Sequence, residues 1–449
     1  MTHPTDPQVS TELPGPRSRA LLEHLDRMMY PGLRHGLAPF VMARKHDHIV
    51  EDIDGNVFWD FVSASASVPF GAAPRSITDA AVDAMRRYGL EDTHGIVNEL
   101  VALLAEALLQ VAPAGLTRVD IALNGTEAVE TAVRFMRRST GRPIVIGFMG
   151  AYHGEAGTAG AAGAEAAELS SGYRALMPGF VHVPYPNPYR TPFRPRPGGT
   201  GDGTIDYLRD HVLFHEIDPR EVAGVLIEPV LGSGGCVAPP DPFWPALVDL
   251  CGAHGWLLCA DEVKTGFGRS GTLFAVERWD VRPDLIALGK AMGGGVLPIG
   301  AVLGTGEAMA FDDLSTGSTW SWFPAACAAA LETLRWLREE PVLENVRALE
   351  AMALEELPAI MTRHPSVGDV RAVGCFWAIE FVRDRETKER DLPMQERVAR
   401  EALARGIIGD SSTTSYNLQP SLVTPIDVAR RALAIVDEAI GAAEEAMRA

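Results

Sequence analysis

The spacing of apolar residues along the chain predicts an alternation of strands and helices. Between residues 117 and 304, short apolar runs such as TRVDIAL, PIVIGF, AGVLIEPV, GWLLCADEV and IGAVLG have the length and composition of buried strands. The stretches between them, such as TEAVETAVRFMRRST and PFWPALVDLCGAH, repeat apolar residues at helical spacing. This alternation is typical of βα units, so it predicts an α/β fold with a doubly wound, mostly parallel sheet covered by helices on both faces.

The pattern differs at the two ends of the chain. Residues 48–63 alternate apolar and polar positions around the turn DGN, which predicts a hairpin. Beyond about residue 325, long amphipathic helices and the strand CFWAIEFV predict a smaller α+β unit. We therefore expect a flexible leader at 1–20, a segment at 21–74 that joins the small domain, a large domain at 75–328 and a small domain at 329–449. The Pro- and Gly-rich residues 187–204 are expected to form a loop insertion.

Composition narrows the class of protein. Of the 449 residues, 47% are hydrophobic and 22% are charged, the balance of an ordinary soluble globular protein. The net charge of −19 argues against a nucleic-acid partner, because such binders usually carry a basic patch. The chain contains no apolar run of about 18 residues, and its first residues lack the apolar core of a signal peptide. We expect no membrane span.

The cysteines and histidines also bear on the compartment and on metals. Five cysteines occur, none of them in a C-x-x-C pair, and each lies among apolar or small residues. This favours buried free thiols and a cytoplasmic location. The twelve histidines are scattered and none belongs to an H-E-x-x-H motif, so we expect no metal site.

A lysine at the end of an apolar strand is the first candidate for chemistry. Lys290 follows PDLIALG and precedes AMGGG. Lysine is rarely buried without a partner, and desolvation lowers the pKa of its amine, as a Schiff-base lysine requires. A P-loop is excluded because the preceding glycine is missing and Ala291 replaces Ser or Thr.

Two further stretches contain candidate binding groups, a carboxylate at a strand end and the N-terminus of a helix. Asp261, in CADEVKTGFGRSG, ends a strand, where it can pair with a protonated ring nitrogen or merely cap the next turn. Gly125 and Thr126, in LNGTEAVE, begin a helix, which is either a phosphate-binding N-terminus or simply a well-capped helix.

Aromatic and hydroxyl groups complete the candidates. Tyr152 and His153, in FMGAYHGE, follow a strand, so a ring can line a ligand site or pack on the sheet. Ser318 and Thr319 precede a helix, where hydroxyls bind phosphate or act as caps. An amine, a carboxylate, an aromatic ring and anion-binding turns are together what pyridoxal 5'-phosphate (PLP) requires of a protein.

The order of these motifs resembles that of the class III aminotransferases, which have the fold-type I PLP architecture. The resemblance is carried by NGTEAVETAVRFMR, GAYHG, IEPV, DEVKTGFGRSG, PDLIALGKAMGGGVLPIGAV and GSTWSWFPAACAAALETL, and it extends over roughly residues 40–445. It implies an aminotransferase that moves an amino group between an amine or amino-acid donor and a carbonyl acceptor through a Schiff base on Lys290. It also implies a homodimer whose subunits share their sites.

The same resemblance implies a role for each matched residue. Lys290 would hold PLP, Asp261 would pair with its ring nitrogen, and Tyr152 and Val263 would cover the two ring faces. Gly125 and Thr126 would bind the phosphate, which Ser318 and Thr319 would reach from the neighbouring subunit. The candidate cofactor-binding residues are Gly125, Thr126, Tyr152, His153, Glu228, Asp261, Val263, Lys264, Lys290, Ser318 and Thr319. The candidate catalytic residues are Lys290, Asp261 and Tyr152, and Glu228 is expected near the substrate.

Departures from the family pattern bear on the substrate. Many members have an arginine near the C-terminus that binds the substrate carboxylate, and Asn417 stands at about that place here. Either another residue, such as Arg75 or Arg190, supplies the carboxylate contact, or the substrate does not need one, as with an ω-amine, an amino alcohol, an amino sugar or an amino-acid amide.

Lys264 raises a second hypothesis. Many members have glutamine after DEV, whereas relatives that racemise an amino lactam or amino-acid amides also have DEVK. A racemase or epimerase needs two acid–base groups, for which Lys290 with either Lys264 or Tyr152 are candidates. The alternatives are that Lys264 only bonds a cofactor oxygen or pairs with Glu228, and, for the whole chain, that it is a non-catalytic scaffold.

Overall fold

The computed structural model describes residues 5–30, 38–72, 74–167, 172–193, 203–311 and 316–448. The strands are β1 (Met42–His46), β2 (Ile49–Asp52), β3 (Val57–Asp60), β4 (Arg118–Ala122), β5 (Ile144–Met149), β6 (Phe180–Pro184), β7 (Val222–Ile227), β8 (Leu257–Asp261), β9 (Leu285–Leu288), β10 (Gly300–Gly304), β11 (Val367–Val373), β12 (Phe376–Asp384), β13 (Glu389–Arg390), β14 (Ile407–Ile408), β15 (Asp410–Ser411) and β16 (Tyr416–Leu418). The α-helices are α1 (Pro16–Asp26), α2 (Arg75–Tyr88), α3 (Glu99–Val111), α4 (Gly125–Thr140), α5 (Gly157–Ala162), α6 (Tyr173–Leu176), α7 (Thr204–Tyr207), α8 (Leu213–His215), α9 (Phe243–His254), α10 (Pro324–Glu339), α11 (Val342–Arg363), α12 (Leu392–Ala404) and α13 (Ile426–Arg448).

A seven-stranded sheet positions the site. Its order is β4-β10-β9-β8-β7-β5-β6, and the five strands from β9 to β6 are parallel. Strand β10 runs antiparallel to both β9 and β4, so the sheet is mixed. Every residue of β7, β9 and β10 is buried, as expected for strands that are covered on both faces. The predicted α/β class is therefore confirmed, with β10 as the exception to the parallel direction.

Two smaller sheets involve the ends of the chain. Strands β11, β12, β16 and β15 form an antiparallel sheet, to which β13 adds beside β12. The predicted hairpin is β2 and β3, and β3 continues the sheet by pairing in parallel with β14, so that Trp59 lies opposite Ile407. The N-terminal segment thus joins a C-terminal strand, while the domain boundaries given above stay predictions.

Within residues 5–20, the segment predicted as a flexible leader makes defined contacts. Gln8 pairs with Val57, and α1 begins at Pro16. The carboxylate of Asp54 accepts the N–H groups of Arg17 and Ser18, at 2.7 and 2.8 Å, so it satisfies two donors that a helix start leaves free. The leader is therefore anchored to the hairpin by backbone and carboxylate hydrogen bonds that its Pro- and Thr-rich composition did not indicate.

Two other expectations concern segments of the chain rather than single residues. Half of the predicted loop insertion at 187–204 lies outside the described residues, since 194–202 are not described. Within the described ranges, no helix combines the length and the apolar character that a membrane crossing requires.

A left-handed turn follows the hairpin. Four successive residues without glycine, Ser63–Ala66, have φ between 49° and 66°. Such a conformation brings Cβ close to the following carbonyl oxygen, which costs about 1–2 kcal/mol per L-residue. Hydrogen bonds hold it: Asp60 Oδ1 accepts the N–H groups of Val62 and Ser63, and the Ser63 hydroxyl donates to the carbonyl of Gln419 at 2.8 Å. The turn leads directly to the residues that line the cavity described below.

Relief of this strain gives a first prediction. Ala64 is exposed and has φ of 49°, so Ala64→Gly removes the Cβ without removing a buried contact. We expect stabilisation by about 0.5–1 kcal/mol, since the gain exceeds the entropy that glycine adds to the unfolded chain. The measurement is the thermal midpoint at fixed protein concentration. The matched control, Ala351→Gly on the exposed side of α11, should lower the midpoint, because glycine in a helix costs about 0.5–1 kcal/mol. A lower midpoint for Ala64→Gly would contradict the left-handed backbone.

Candidate active site

A cavity of about 440 Å³ lies at the carboxyl ends of the parallel strands. Four strands deliver residues to it: Tyr152 follows β5, Glu228 follows β7, Asp261 ends β8 and Lys290 follows β9. This is the edge at which open α/β sheets bind ligands. Nine of the predicted residues line the cavity together: Gly125, Thr126, Tyr152, His153, Glu228, Asp261, Val263, Lys264 and Lys290.

The amine of Lys290 is buried in the cavity wall, close to a second lysine, Lys264. The residue opens a short 3-10 turn immediately after Gly289, with φ of 42°, and its Nζ lies 5.9 Å from the centre of the Tyr152 ring. Burial, followed by the charge of Lys264, lowers the pKa of Lys290 from 10.5 to about 8. The amine is therefore partly deprotonated at neutral pH, which makes it a nucleophile and a proton acceptor.

Asp261 is held by two donors. His153 Nδ1 lies 2.6 Å from Asp261 Oδ2, and the N–H of Val263 donates to Oδ1 at 3.0 Å. Both side chains are buried. Burial opposes the charged imidazole of His153, but the hydrogen bond and charge of Asp261 prevail and raise its pKa. The pair thus keeps a negative charge inside the cavity with a cationic partner behind it, which a buried carboxylate requires.

The N-terminus of α4 forms a close-packed corner of the cavity. The Asn124 side chain caps the helix by accepting the N–H of Glu127 at 3.0 Å, and the N–H groups of Gly125 and Thr126 have no intrahelical partner. A Cβ on Gly125 would lie 2.4 Å from Val263 Cγ1, and one on Gly154 would lie 2.5 Å from Thr126 Oγ1. Only glycine permits these approaches, which leave backbone donors and the positive end of a helix dipole at this corner of the cavity.

Glu228 connects two loops at the rim. Its Oε1 accepts the N–H of Tyr152 at 2.9 Å, and its Oε2 accepts the N–H of Gly232 at 2.8 Å. Burial raises the pKa of this carboxyl group. Glu228 therefore lines the cavity, where the sequence placed it, and it also fixes the backbone that presents the Tyr152 ring.

Ser318 and Thr319 lie outside this cavity. The Ser318 hydroxyl is 3.4 Å from Glu127 Oε2, in a recess beside Thr126, and Thr319 is exposed. Their expected contact with the phosphate in a neighbouring subunit stays a prediction.

Neither arginine considered as a carboxylate clamp lines the cavity. Arg75 is on the surface, 3.2 Å from Asp79, and Arg190 is paired with Glu380. Within one subunit, neither side chain therefore reaches this cavity.

Sequence reasoning missed several residues of the wall. Ser67 and Val68 enter from the left-handed turn, Ser233 from the loop after β7, and residues 295–299 from the stretch after Lys290. The last group lies within the quoted motif PDLIALGKAMGGGVLPIGAV, so the motif was a usable signal. Ser67 and Val68 had none, because a left-handed turn without glycine has no recognisable pattern.

Comparisons with known proteins place the chain in a family. Residues 33–440 match the sequence profile of the family described as aminotransferase class-III. The alanine/serine racemase of Pyrococcus horikoshii is 34% identical over 97% of this chain and 92% of its own length. The 4-aminobutyrate aminotransferase of Mycobacterium bovis is 34% identical over 89% of each protein.

A solved structure agrees with the fold. The PLP-bound amine transaminase of an uncultivated Pseudomonas species is 29% identical to this chain and superposes with a TM-score of 0.85, over 93% of this chain and 98% of that one. The chain therefore belongs to the class III aminotransferase family. The family and the class of enzyme predicted from the sequence are confirmed at this level, while the roles of single residues remain predictions.

The environment of Lys290 predicts a pH-dependent reactivity. Hydroxylamine removes any aldehyde bound to Lys290 and leaves the amine free. The rate at which Lys290 is acylated should then rise with pH around a midpoint near 8, because only the neutral amine reacts. Mass spectrometry of the peptide that contains Lys290 measures the rate at each pH. Lys264→Met should raise the midpoint, since it removes a neighbouring positive charge. An unchanged midpoint in Lys264→Met would contradict the coupling of the two amines.

Proposed function

We propose that the protein is a PLP-dependent aminotransferase that moves an amino group from an amine or amino acid to a carbonyl acceptor. The observation that carries this proposal is the meeting of the Lys290 amine and the Asp261 carboxylate in one cavity beside a helix N-terminus. These three features come from the segment after β9, the end of β8 and the start of α4, and they line one cavity.

The groups around the cavity fit PLP one by one. Lys290 is the amine for its aldehyde, and Asp261, backed by His153, is the carboxylate for its ring nitrogen. Gly125 and Thr126, in the corner that a Cβ would fill, would hold the phosphate. Tyr152 and Val263 would cover the ring faces. When bound, PLP supplies an electron sink that stabilises negative charge at the substrate Cα.

Lys290 is then the proposed proton carrier. Its Nζ would take the proton from Cα, and a pKa of about 8 suits a base that works near neutral pH. Glu228, which bonds the N–H of Tyr152, would keep the aromatic wall in place during the transfer. In a transamination the proton does not return to Cα.

A racemase is the second candidate. It is favoured by a second lysine, Lys264, which lines the same cavity as Lys290. A racemase needs two groups that exchange the Cα proton from opposite faces, and Lys264 or Tyr152 would be the partner of Lys290. The similarity to a protein named alanine/serine racemase adds support.

An amine panel with chiral analysis tests the function. An aminotransferase given one donor and no acceptor should release at most one equivalent of carbonyl product per site, and the remaining donor should keep its configuration. A racemase should instead scramble the configuration and exchange Cα–H for deuterium over many turnovers. In parallel, borohydride reduction should fix the cofactor to the peptide that contains Lys290.

The controls are two lysine variants. Lys290→Ala should lose the borohydride-fixed cofactor and both activities, whereas Lys264→Met should keep the label on Lys290. A label on another lysine, or no cofactor in the purified wild type, would contradict the assignment of Lys290. Complete absence of cofactor would favour the scaffold alternative.

We further propose a homodimer, with the apolar surface of α2, α3 and the loop between them at its interface. Helix α3 is rich in leucine, yet only Leu104 and Leu108 are buried in it. The exposed apolar residues of this surface are Val82, Met85, Leu90, Ile96, Val97 and Leu103. Because α2 and α3 both pack against α10, these residues belong to neighbouring elements, and an apolar patch made by them would favour a partner.

Charges in this patch should dissociate the dimer. Ile96→Asp with Leu103→Glu should shift sedimentation from dimer to monomer, because burying two carboxylates at an apolar interface costs several kcal/mol. Phe214→Glu, at an exposed apolar residue outside the patch, is the matched control and should leave the sedimentation unchanged. If the double variant sediments like the wild type, the interface lies elsewhere.

We propose a cytoplasmic location for this activity. All five cysteines are free and buried, which suits a reducing compartment.

A further inference from the structure

Lys264 is a cationic side chain of the cavity wall to which the proposed transamination gives no role. Along the described part of this wall, the cationic side chains apart from His153 are Lys290 and Lys264. Lys290 has a task in the proposed function, and His153 is bound to Asp261. Arg75 and Arg190 are both paired elsewhere, and position 417 is an asparagine. If the substrate brings a carboxylate, Lys264 is the cation left to meet it.

Lys264 is buried without a partner. Its side chain is only 6% exposed, and its ammonium makes no hydrogen bond or ion pair with any residue that the structure describes. Lysine is rarely buried without a partner, and because Lys264 lines the cavity, the acceptor for its ammonium must come from the contents of that cavity. An anionic ligand in the cavity would supply the missing acceptor.

The course of the side chain takes the ammonium to one end of the cavity. The stem crosses Gly232, where a Cβ would lie 2.6 Å from Lys264 Cδ, and Nζ lies 6.0 Å from the centre of the Phe376 ring on β12. Asp261 and His153, the pair for a ring nitrogen, belong to β8 and to the loop after β5. Lys264 thus extends from the end of β8 toward the C-terminal sheet, where Asn417 also lies.

The nearby carboxylates do not neutralise this ammonium by contact. Glu228 uses both oxygens on backbone N–H groups. Burial raises the pKa of Asp410, and Lys264 opposes that rise. Burial and the charge of Glu228 raise the pKa of Glu165 to about 7, again with Lys264 in opposition. Lys264 therefore influences these groups through space, while its side chain lines the cavity.

We propose that Lys264 binds the carboxylate of the amino substrate, in place of an arginine clamp. This deepens the proposed function, on which it rests, and it assigns the substrate to the amino acids rather than to simple amines. A lysine ammonium is a single point charge with rotatable donors, whereas an arginine presents a rigid fork. The site should therefore accept carboxylates in a wider range of orientations than an arginine clamp does.

Two other roles for Lys264 compete with carboxylate binding, and each predicts a different effect of losing the side chain. If Lys264 is a proton carrier, its loss slows turnover of every amine, with or without a carboxylate. If it bonds a cofactor oxygen, its loss changes cofactor affinity. A carboxylate receptor instead discriminates between substrates, because its contribution is made only with those that carry the anion.

The test compares matched substrates on the cofactor-loaded protein. Alanine and 2-aminopropane, or 4-aminobutyrate and butylamine, differ in the carboxylate alone. Lys264→Met should lower kcat/KM for the amino acid by about 10- to 100-fold, mainly through KM, as expected for loss of a hydrogen bond to a charged group. A raised pKa of Lys290 in this variant acts on both substrates of a pair, so the readout is the ratio of kcat/KM for the amino acid to kcat/KM for the amine, which should fall by about 10-fold or more. Lys264→Arg keeps the charge and should restore most of the activity on the amino acid.

A binding measurement gives a readout that does not depend on turnover. Propionate carries the carboxylate without an amine, and calorimetry should show its dissociation constant rising by a similar factor in Lys264→Met but not in Lys264→Arg. Lys264→Gln replaces the methionine variant if the latter does not fold. Borohydride labelling of Lys290 is followed in each variant.

The outcomes separate this inference from the proposed function. Equal losses on both members of a pair, or an unchanged dissociation constant for propionate, would overturn the carboxylate role while Lys290 is still labelled. Absence of the label on Lys290 in the wild type would instead overturn the proposed function.

Discussion

The site depends on the removal of water from the Lys290 amine at the edge of a sheet. Strands β8 and β9 are parallel neighbours, with Asp261 opposite Ala287, so the carboxylate at the end of one strand and the lysine just past the other lie side by side. Buried strands behind them exclude solvent, and the low polarity shifts the lysine toward its neutral form. A lysine at the same strand end but exposed to water would keep the ordinary pKa of its amine and would be a cation at neutral pH.

Much of this arrangement could be predicted from the sequence. The apolar runs identified β4, β5, β7, β8, β9 and β10, and the carboxyl ends of adjacent parallel strands meet at one edge, so Asp261 and Lys290 could be assigned to one site. The antiparallel direction of β10 could not be predicted, because a fully buried strand has the same composition in either direction.

What sequence reasoning missed came from residues distant in the chain. Ser67 and Val68 reach the cavity through a left-handed turn of serines and alanines, which local propensity does not predict for L-residues. The ammonium of Lys264 was recognised as unusual, but its lack of a partner depends on Glu228 having both oxygens on backbone N–H groups, a contact between separate loops. Hydrogen bonds of this kind depend on tertiary geometry, so the spacing of residues along the sequence does not reveal them.

The pairing of β3 with β14 has a consequence for synthesis on the ribosome. Trp59 lies opposite Ile407, so β3 acquires this neighbour only after the chain has been made as far as residue 407. Until then β3 presents an edge with unpaired backbone groups, a known route to aggregation. Contacts so far apart in sequence form slowly, because a long loop must close first. A nascent chain of this enzyme would therefore benefit from a chaperone that covers its N-terminal hairpin.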